Sequence, residues 1–333
     1  MPTPAMTAPI ELYRDPAVFA QERASIFAKS WQFLGLEADL VRPGDYLAEP
    51  VAGYPVLVIR DEQGMLRGFH NVCRHRAGPL VADAKGRCDR ELVCLFHDWR
   101  YGFDGRLRDA ADFGPAEGFD IQHFSLFPIR VETWRGLVFV NLDAGAAALI
   151  ESLRPLDERL GRQTHRSARV RDRHPIACNW KVYVENYLDG YHREGVHPGL
   201  ATAPGVQRHD VHMYGEVALY ELPASQKPAI GLWAWVWPNF GLNVYRGVLM
   251  LEHMRPEGSE RTVIDHIFLH EPEDPGVDAA ILNSERITEE DSWICERVQQ
   301  NLNAGIFRQG VLSPVHEGAV SWFQSRVAAA LAK

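Results

Sequence analysis

Two short pairs, Cys73-Arg74-His75 and Cys94-Leu95-Phe96-His97, set residue types that hold metals at close spacing. Each pair offers one thiolate and one imidazole. Zinc accepts such a Cys₂His₂ set, yet zinc fingers usually place two Cys on one knuckle and two His on a helix. A mixed half on each side suits a [2Fe–2S] cluster instead, one iron taking both thiolates and the other both imidazoles. A second set of candidate ligands lies at Asp189, His192 and His197. His192 and His197, five residues apart, would diverge on a straight helix, but Gly195 and Pro198 let the backbone leave the helix and return His197. Two imidazoles plus one remote carboxylate would leave positions open for O₂ on a non-haem ferrous ion.

The elements that must position these residues follow from local pattern. Asp15 to Phe33 reads as an amphipathic helix, with Asp15 as cap, Pro16 in the first turn and Phe19, Ile26, Phe27 and Trp31 as its apolar stripe. Short β segments follow: Val56–Ile59, Leu66–Val72, Glu91–Cys94 and Leu137–Leu142, with turn signals at Asp61-Glu62-Gln63-Gly64 and Phe103-Asp104-Gly105-Arg106. Composition shifts at Ala144–Ala148, which reads as a linker, followed by a polar, Arg-rich stretch to Arg173. Trp180–Tyr191 reads as a helix, Val211–Leu269 as a second β-rich region, and Ala279–Leu302 as a long helix. The expected division is an N-terminal arm over 1–39 packing on the last domain, a β domain over 40–148, and a third segment over 149–333.

The chain has 333 residues, 46% hydrophobic and 24% charged, as in soluble globular proteins. With 35 basic against 44 acidic residues the net charge is −9, which gives a nucleic-acid partner no electrostatic support. Met1–Ile10 lacks the basic and apolar regions of a secretion signal, and no apolar run reaches the roughly 20 residues of a membrane helix. A cytoplasmic location away from membranes is expected. Five cysteines, an odd number, scattered at 73, 88, 94, 178 and 295, do not make a disulfide framework. Trp233, Trp235 and Trp237 alternate along one segment and share a face, as a core stripe or as a clamp for an aromatic ring or quaternary ammonium. His209, His212, His253, His266, His270 and His316 carry no ligand spacing.

With Arg76-Ala77-Gly78-Pro79 after the first pair and Trp99, Tyr101 and Gly102 after the second, the sequence resembles a Rieske domain, C-x-H then C-x-x-H, with Leu95 where Pro is frequent. Glu185-Asn186-Tyr187-Leu188-Asp189-Gly190-Tyr191-His192-Arg193-Glu194-Gly195-Val196-His197 resembles the mononuclear-iron motif of Rieske non-haem iron oxygenases. The resemblance implies an α+β fold: an antiparallel β Rieske [2Fe–2S] domain plus a helix-grip-like catalytic domain with an antiparallel sheet and helices. It implies that Cys73, His75, Cys94 and His97 hold the cluster and that His192, His197 and Asp291 hold Fe(II), with Glu290 as competitor to Asp291. Asp291, Glu296 and Gln299 match the family's Asp, four residues, Glu, two residues, Gln. It also implies a homotrimer in which Asp189 links His97 of one chain to His192 of the next, while Asn186 lies near the iron. A reductase or ferredoxin would bring electrons from NAD(P)H. The expected reaction is O₂-dependent hydroxylation of an organic substrate, most commonly aromatic in this family, with dihydroxylation included. The alternative is monooxygenation or N-demethylation of a quaternary ammonium compound, although Asp189 stands where the carnitine-type branch tends to carry Glu. A bare Rieske electron carrier is the non-enzyme alternative.

Overall fold

The computed structural model describes residues 5–161, 167–170, 173–201, 210–221, 232–245, 248–273 and 276–332; His209 lies outside them. The chain forms two compact units, Phe27–Glu151, and Met1–Ile26 together with Ser152–Lys333. Both are built on antiparallel sheets, and the longer helices belong mostly to the second, so the fold is α+β.

In the Phe27–Glu151 unit the main sheet runs in the order Gln32–Leu36, Leu137–Asn141, Pro128–Trp134, Leu66–His70, Tyr54–Arg60, Asp45–Leu47, Lys85–Arg87. Val56, Leu57, Val58 and Ile59 are all buried, which marks a central strand covered on both faces. The hairpin after it is made by Asp61, whose Oδ1 accepts from the N–H of Gln63 and Met65 at 3.0 and 2.8 Å. A small sheet of Leu92–Val93, Arg100–Tyr101 and Leu107–Asp109 carries the second Cys/His pair. Its core gathers Leu57, Ile59, Phe69, Leu92, Trp99, Tyr101, Phe103, Cys73 and Cys94.

The Asp15–Phe33 reading needs correction. Asp15 caps a helix through Ala17 N–H and Pro16 opens it, but the α-helix covers only Pro16–Glu22, and Arg23–Phe27 widens into a π turn. Gln32–Leu36 is a strand, because Phe33 and its neighbours pair with Leu137–Val140 and tertiary pairing outweighs helical periodicity. The stretch after Ala148, read as polar chain, begins with a helix, Leu149–Leu160.

In the other unit the sheet order is Ser167–Val170, Arg261–His270, Val248–Gly258, Phe240–Tyr245, Trp233–Val236, Val217–Glu221, Asp210–Tyr214. Trp235, Gly241, Glu252 and His266 form one cross-strand row. Helices cover that face. Tyr183 of the Trp180–Leu188 helix donates to Glu252 at 2.8 Å, and Tyr187 lies where a β-carbon on Gly241 would come within 2.8 Å of its hydroxyl. Trp235 packs edge-on against Trp322 and Phe323 of the Gly318–Leu331 helix, and Trp237 also meets Phe323. These two tryptophans are core, not a clamp.

The arm belongs to this unit and is tied down by buried polar groups. Glu22 accepts from Trp180 Nε1 at 2.8 Å and pairs with Lys181 Nζ at 2.5 Å, both charges fully buried. Tyr13 donates to Glu185 at 2.7 Å and receives Gln324 Nε2 at 3.1 Å. Breaking such a buried pair by removing one partner costs about 3–5 kcal/mol. The arm thereby fixes the helix that leads into Asp189 and His192.

Candidate metal centres

The Cys/His pairs sit on two turns of the same design. Cys73 N–H donates to Gly78 O and its own carbonyl accepts from Ala77; Cys94 N–H donates to Trp99 O and its carbonyl accepts from Asp98. Ala77 and Asp98, at matching places, take positive φ of 58° and 54°. Leu95 N–H bonds Pro79 O at 2.9 Å and couples the turns. The imidazoles of His75 and His97 lie 4.6 Å apart, and His75 stacks on the buried indole of Trp99 at 4.9 Å.

These residues fit an iron–sulfur cluster on three counts. Nδ1 of His75 and Nδ1 of His97 are both buried with no hydrogen-bond partner, as atoms reserved for a metal would be. Cys73 and Cys94 are buried free thiols. A β-carbon on Gly78 would come within 2.9 Å of Cys94 Sγ, so only glycine leaves that sulfur room. Tyr101, not singled out beyond the motif, contributes directly. Its hydroxyl accepts from Arg74 N–H at 3.1 Å and therefore donates to Cys73 Sγ at 3.2 Å. Burial and this sulfur hold the phenol pKa well above its usual range.

The second centre is assembled from distant pieces. Asn179 caps the Trp180–Leu188 helix through Lys181 N–H, and the helix stops at Asp189 instead of running to Tyr191. The short Arg193–Val196 turn then carries His192 and His197 back toward each other. His197 Nε2 is 3.2 Å from His192 Nε2 and 3.1 Å from Asp291 Oδ1; His192 Nε2 is 3.5 Å from the same oxygen. All three ligand atoms lie within 4.8 Å of one another. Asp291 comes from the long Val277–Asn303 helix and is buried. Asn186 donates to Asp291 Oδ1 at 2.8 Å, a definite job for a residue with no fixed role from sequence. Asp189 Oδ2 faces His192 Nδ1 at 3.5 Å. Glu290, the competing ligand, turns to the other side of the imidazole and meets His197 Nδ1 at 2.6 Å.

Electrostatics agree with a site that expects positive charge. Burial opposes ionisation of Asp291, but His192, His197 and Asn186 outweigh it and draw its pKa to about 2. Burial also opposes the charged form of His192, yet Asp189 and Asp291 raise it to about 9. A divalent cation would take over the charge that these groups concentrate.

Comparisons with known proteins agree with both centres. The Rieske [2Fe-2S] domain profile matches residues 30–124 and the ring hydroxylating alpha subunit (catalytic domain) profile matches residues 160–333. The carnitine monooxygenase oxygenase subunit of Acinetobacter pittii is 30% identical, across 98% of this chain and 95% of that one. Chloroplastic choline monooxygenase of Spinacia oleracea is 29% identical, across 95% of this chain and 76% of that one. A quaternary ammonium Rieske monooxygenase, described for carnitine oxidation and inter-subunit electron transfer, superposes with a TM-score of 0.84 at 27% identity, covering 98% of this chain and 96% of that chain. With a Rieske [2Fe–2S] domain followed by a catalytic domain that binds mononuclear iron, the chain belongs to the Rieske non-haem iron oxygenases, as one of their ring-hydroxylating-type α subunits.

Proposed function

We propose that this oxygenase is a monooxygenase of a quaternary ammonium compound of the choline, betaine or carnitine kind. The observation that carries the reading is the likeness, over nearly the whole chain, to monooxygenases named for such substrates. It favours the alternative set out from the sequence over the aromatic substrate and over dioxygenation. Asp189 in place of Glu keeps a carboxylate beside His192 and does not count against it.

Cys73, His75, Cys94 and His97 hold the cluster, and His192, His197 and Asp291 hold the iron, in this proposal. The cluster supplies electrons one at a time and the iron supplies the activation of O₂. The chain's own residues prepare that chemistry. Asn186 fixes Asp291 through its amide N–H. Asp189 places a carboxylate oxygen 3.5 Å from Nδ1 of His192. Tyr101 donates to Cys73 and biases the cluster toward its reduced, more negative form. One atom of O₂ enters a C–H bond of the substrate and the other leaves as water, consuming two electrons and two protons. A reductase or ferredoxin fed by NAD(P)H delivers those electrons, and a head-to-tail trimer brings His97 of one chain to Asp189 of the next.

The test is a substrate panel with a surrogate reductase, scored by product mass. Choline, glycine betaine and carnitine are set against benzoate-like acids. Oxygen incorporated only into the aromatic acids would overturn the proposal.

A further inference from the structure

We infer that Glu290, held by Arg286, is a positioning residue for His197 and sets the iron affinity of the centre. This rests on the reading of His197 as an iron ligand. Glu290 Oε2 lies 2.6 Å from His197 Nδ1, while its Oε1 accepts from Arg286 Nη1 at 3.0 Å. Arg286 Nη2 donates in turn to Asn283 Oδ1 at 3.1 Å. The guanidinium also abuts the segment that carries His197, since a β-carbon on Gly199 would come within 2.6 Å of Arg286 Nη1. The chain of contacts thus runs Asn283, Arg286, Glu290, His197 and ends on a ring that is buried.

An imidazole has two nitrogens, and the partner of one decides what the other can do. A carboxylate on Nδ1 keeps the proton there, which leaves Nε2 with a free lone pair. It is Nε2 that faces Asp291 Oδ1 at 3.1 Å and His192 Nε2 at 3.2 Å. The negative charge on Glu290 also raises the basicity of Nε2. Glu290 and Asp291 are adjacent in sequence, so one turn of helix supplies both a ligand and the support of another ligand. Arg286 and Glu290, four residues apart on that helix, orient each other and hold the carboxylate in place.

The test uses full-length protein with its cluster intact and its mononuclear iron removed, titrated anaerobically with Fe(II) against a chromophoric chelator. Glu290→Ala is expected to weaken Fe(II) binding by about 10–100-fold, the usual effect of losing such support. Glu290→Gln keeps an acceptor without the charge and is expected to fall between parent and Glu290→Ala. It carries the same test if the alanine variant does not fold. The visible spectrum of the cluster and the melting temperature of the iron-free protein report any merely structural effect. Fe(II) affinity within about twofold of the parent in these variants would overturn the inference. His197→Ala separates the two readings. If it also keeps its Fe(II), the ligand assignment fails; if it loses Fe(II) while Glu290→Ala does not, only the role of Glu290 fails.

Discussion

The two centres share local turns and differ in what is brought to them from elsewhere in the chain. At the Cys/His centre each turn is closed by its own backbone, with one N–H and one carbonyl of Cys73 and of Cys94 bonded within a few residues. Among the described residues of one chain no carboxylate is bonded to His75 or His97, and a phenol, Tyr101, meets the Cys73 sulfur. At the His/Asp centre a local turn also holds the histidines, His192 O accepting from Gly195 and Val196 N–H and His197 N–H donating to Arg193 O, but Glu290 and Asp291 reach them from far along the chain. Each histidine has its own acid, Asp189 for His192 and Glu290 for His197, and the carboxylate ligand has its own amide. A cluster that only passes electrons is served by rigid local turns. A centre that must open coordination positions to O₂ and substrate needs ligands whose direction is enforced from behind.

The largest effects should come from breaking either centre alone. His192→Ala should lose the mononuclear iron and all turnover while keeping the visible spectrum of the cluster; metal analysis giving two iron atoms per chain instead of three would confirm it. Cys94→Ala should do the reverse, losing the cluster spectrum while Fe(II) still binds at the other centre. A variant that lost both together would break the contrast.

Next in size is the support behind the second centre. Glu22→Ala leaves Lys181 buried and uncompensated, with an expected cost of about 3–5 kcal/mol measured by denaturant unfolding. If the cluster unit is self-contained, its spectrum should outlast the loss of Fe(II) binding as this variant is destabilised.

A smaller effect probes the phenol. Tyr101→Phe removes one hydrogen bond to Cys73 Sγ, worth about 1 kcal/mol, and should lower the cluster potential by about 40 mV, its one-electron equivalent. Electrochemistry of the cluster reads this directly, and Fe(II) affinity at the other centre should not move.

The smallest effect depends on pH. Burial outweighs the Tyr13 and Gln324 hydrogen bonds and raises the Glu185 pKa from 4.5 to about 7. A raised acid is the reverse of the usual carboxylate. Stability is highest below 4.5, where both states are protonated, and falls as pH rises to about 7, where folding must accept the charge. Glu185→Gln should therefore gain melting temperature relative to the parent above pH 7, and the gain should vanish near pH 4.5.

The same contrast explains what could be read from the chain. Cys73-x-His75 and Cys94-x-x-His97 are short because the turns that hold them are short, and their flanking Gly78, Trp99 and Tyr101 sit within the same few residues. Gly195 and Pro198 read as the point where the chain leaves the helix, but the helix ends at Leu188 and Gly195 lies within the short Arg193–Val196 helix. Asp291 and Glu290 could not be told apart in the same way. Neighbours on a helix point about 100° apart, and only the position of the Val277–Asn303 helix beside His197 decides which one faces the iron. Nor could Glu22 be seen as the partner of Lys181, because their pairing spans a whole inserted unit. The Asp15–Phe33 helix reading runs too long for a related reason: its far end, Gln32 and Phe33, pairs with Val140 and Phe139 in a sheet.

Residues 5–26 belong to the unit whose remainder begins at Ser152, so the Phe27–Glu151 unit lies nested within it along the chain. This ordering matters when the protein is made. The turns that carry Cys73, His75, Cys94 and His97 are complete before Ser152 is made, whereas Asp291 and the Gly318–Leu331 helix follow much later. The Phe27–Glu151 unit is finished first, and Glu22 waits for Trp180 and Lys181, which follow it. The second unit therefore closes only by joining residues 5–26 to partners beyond Ser152.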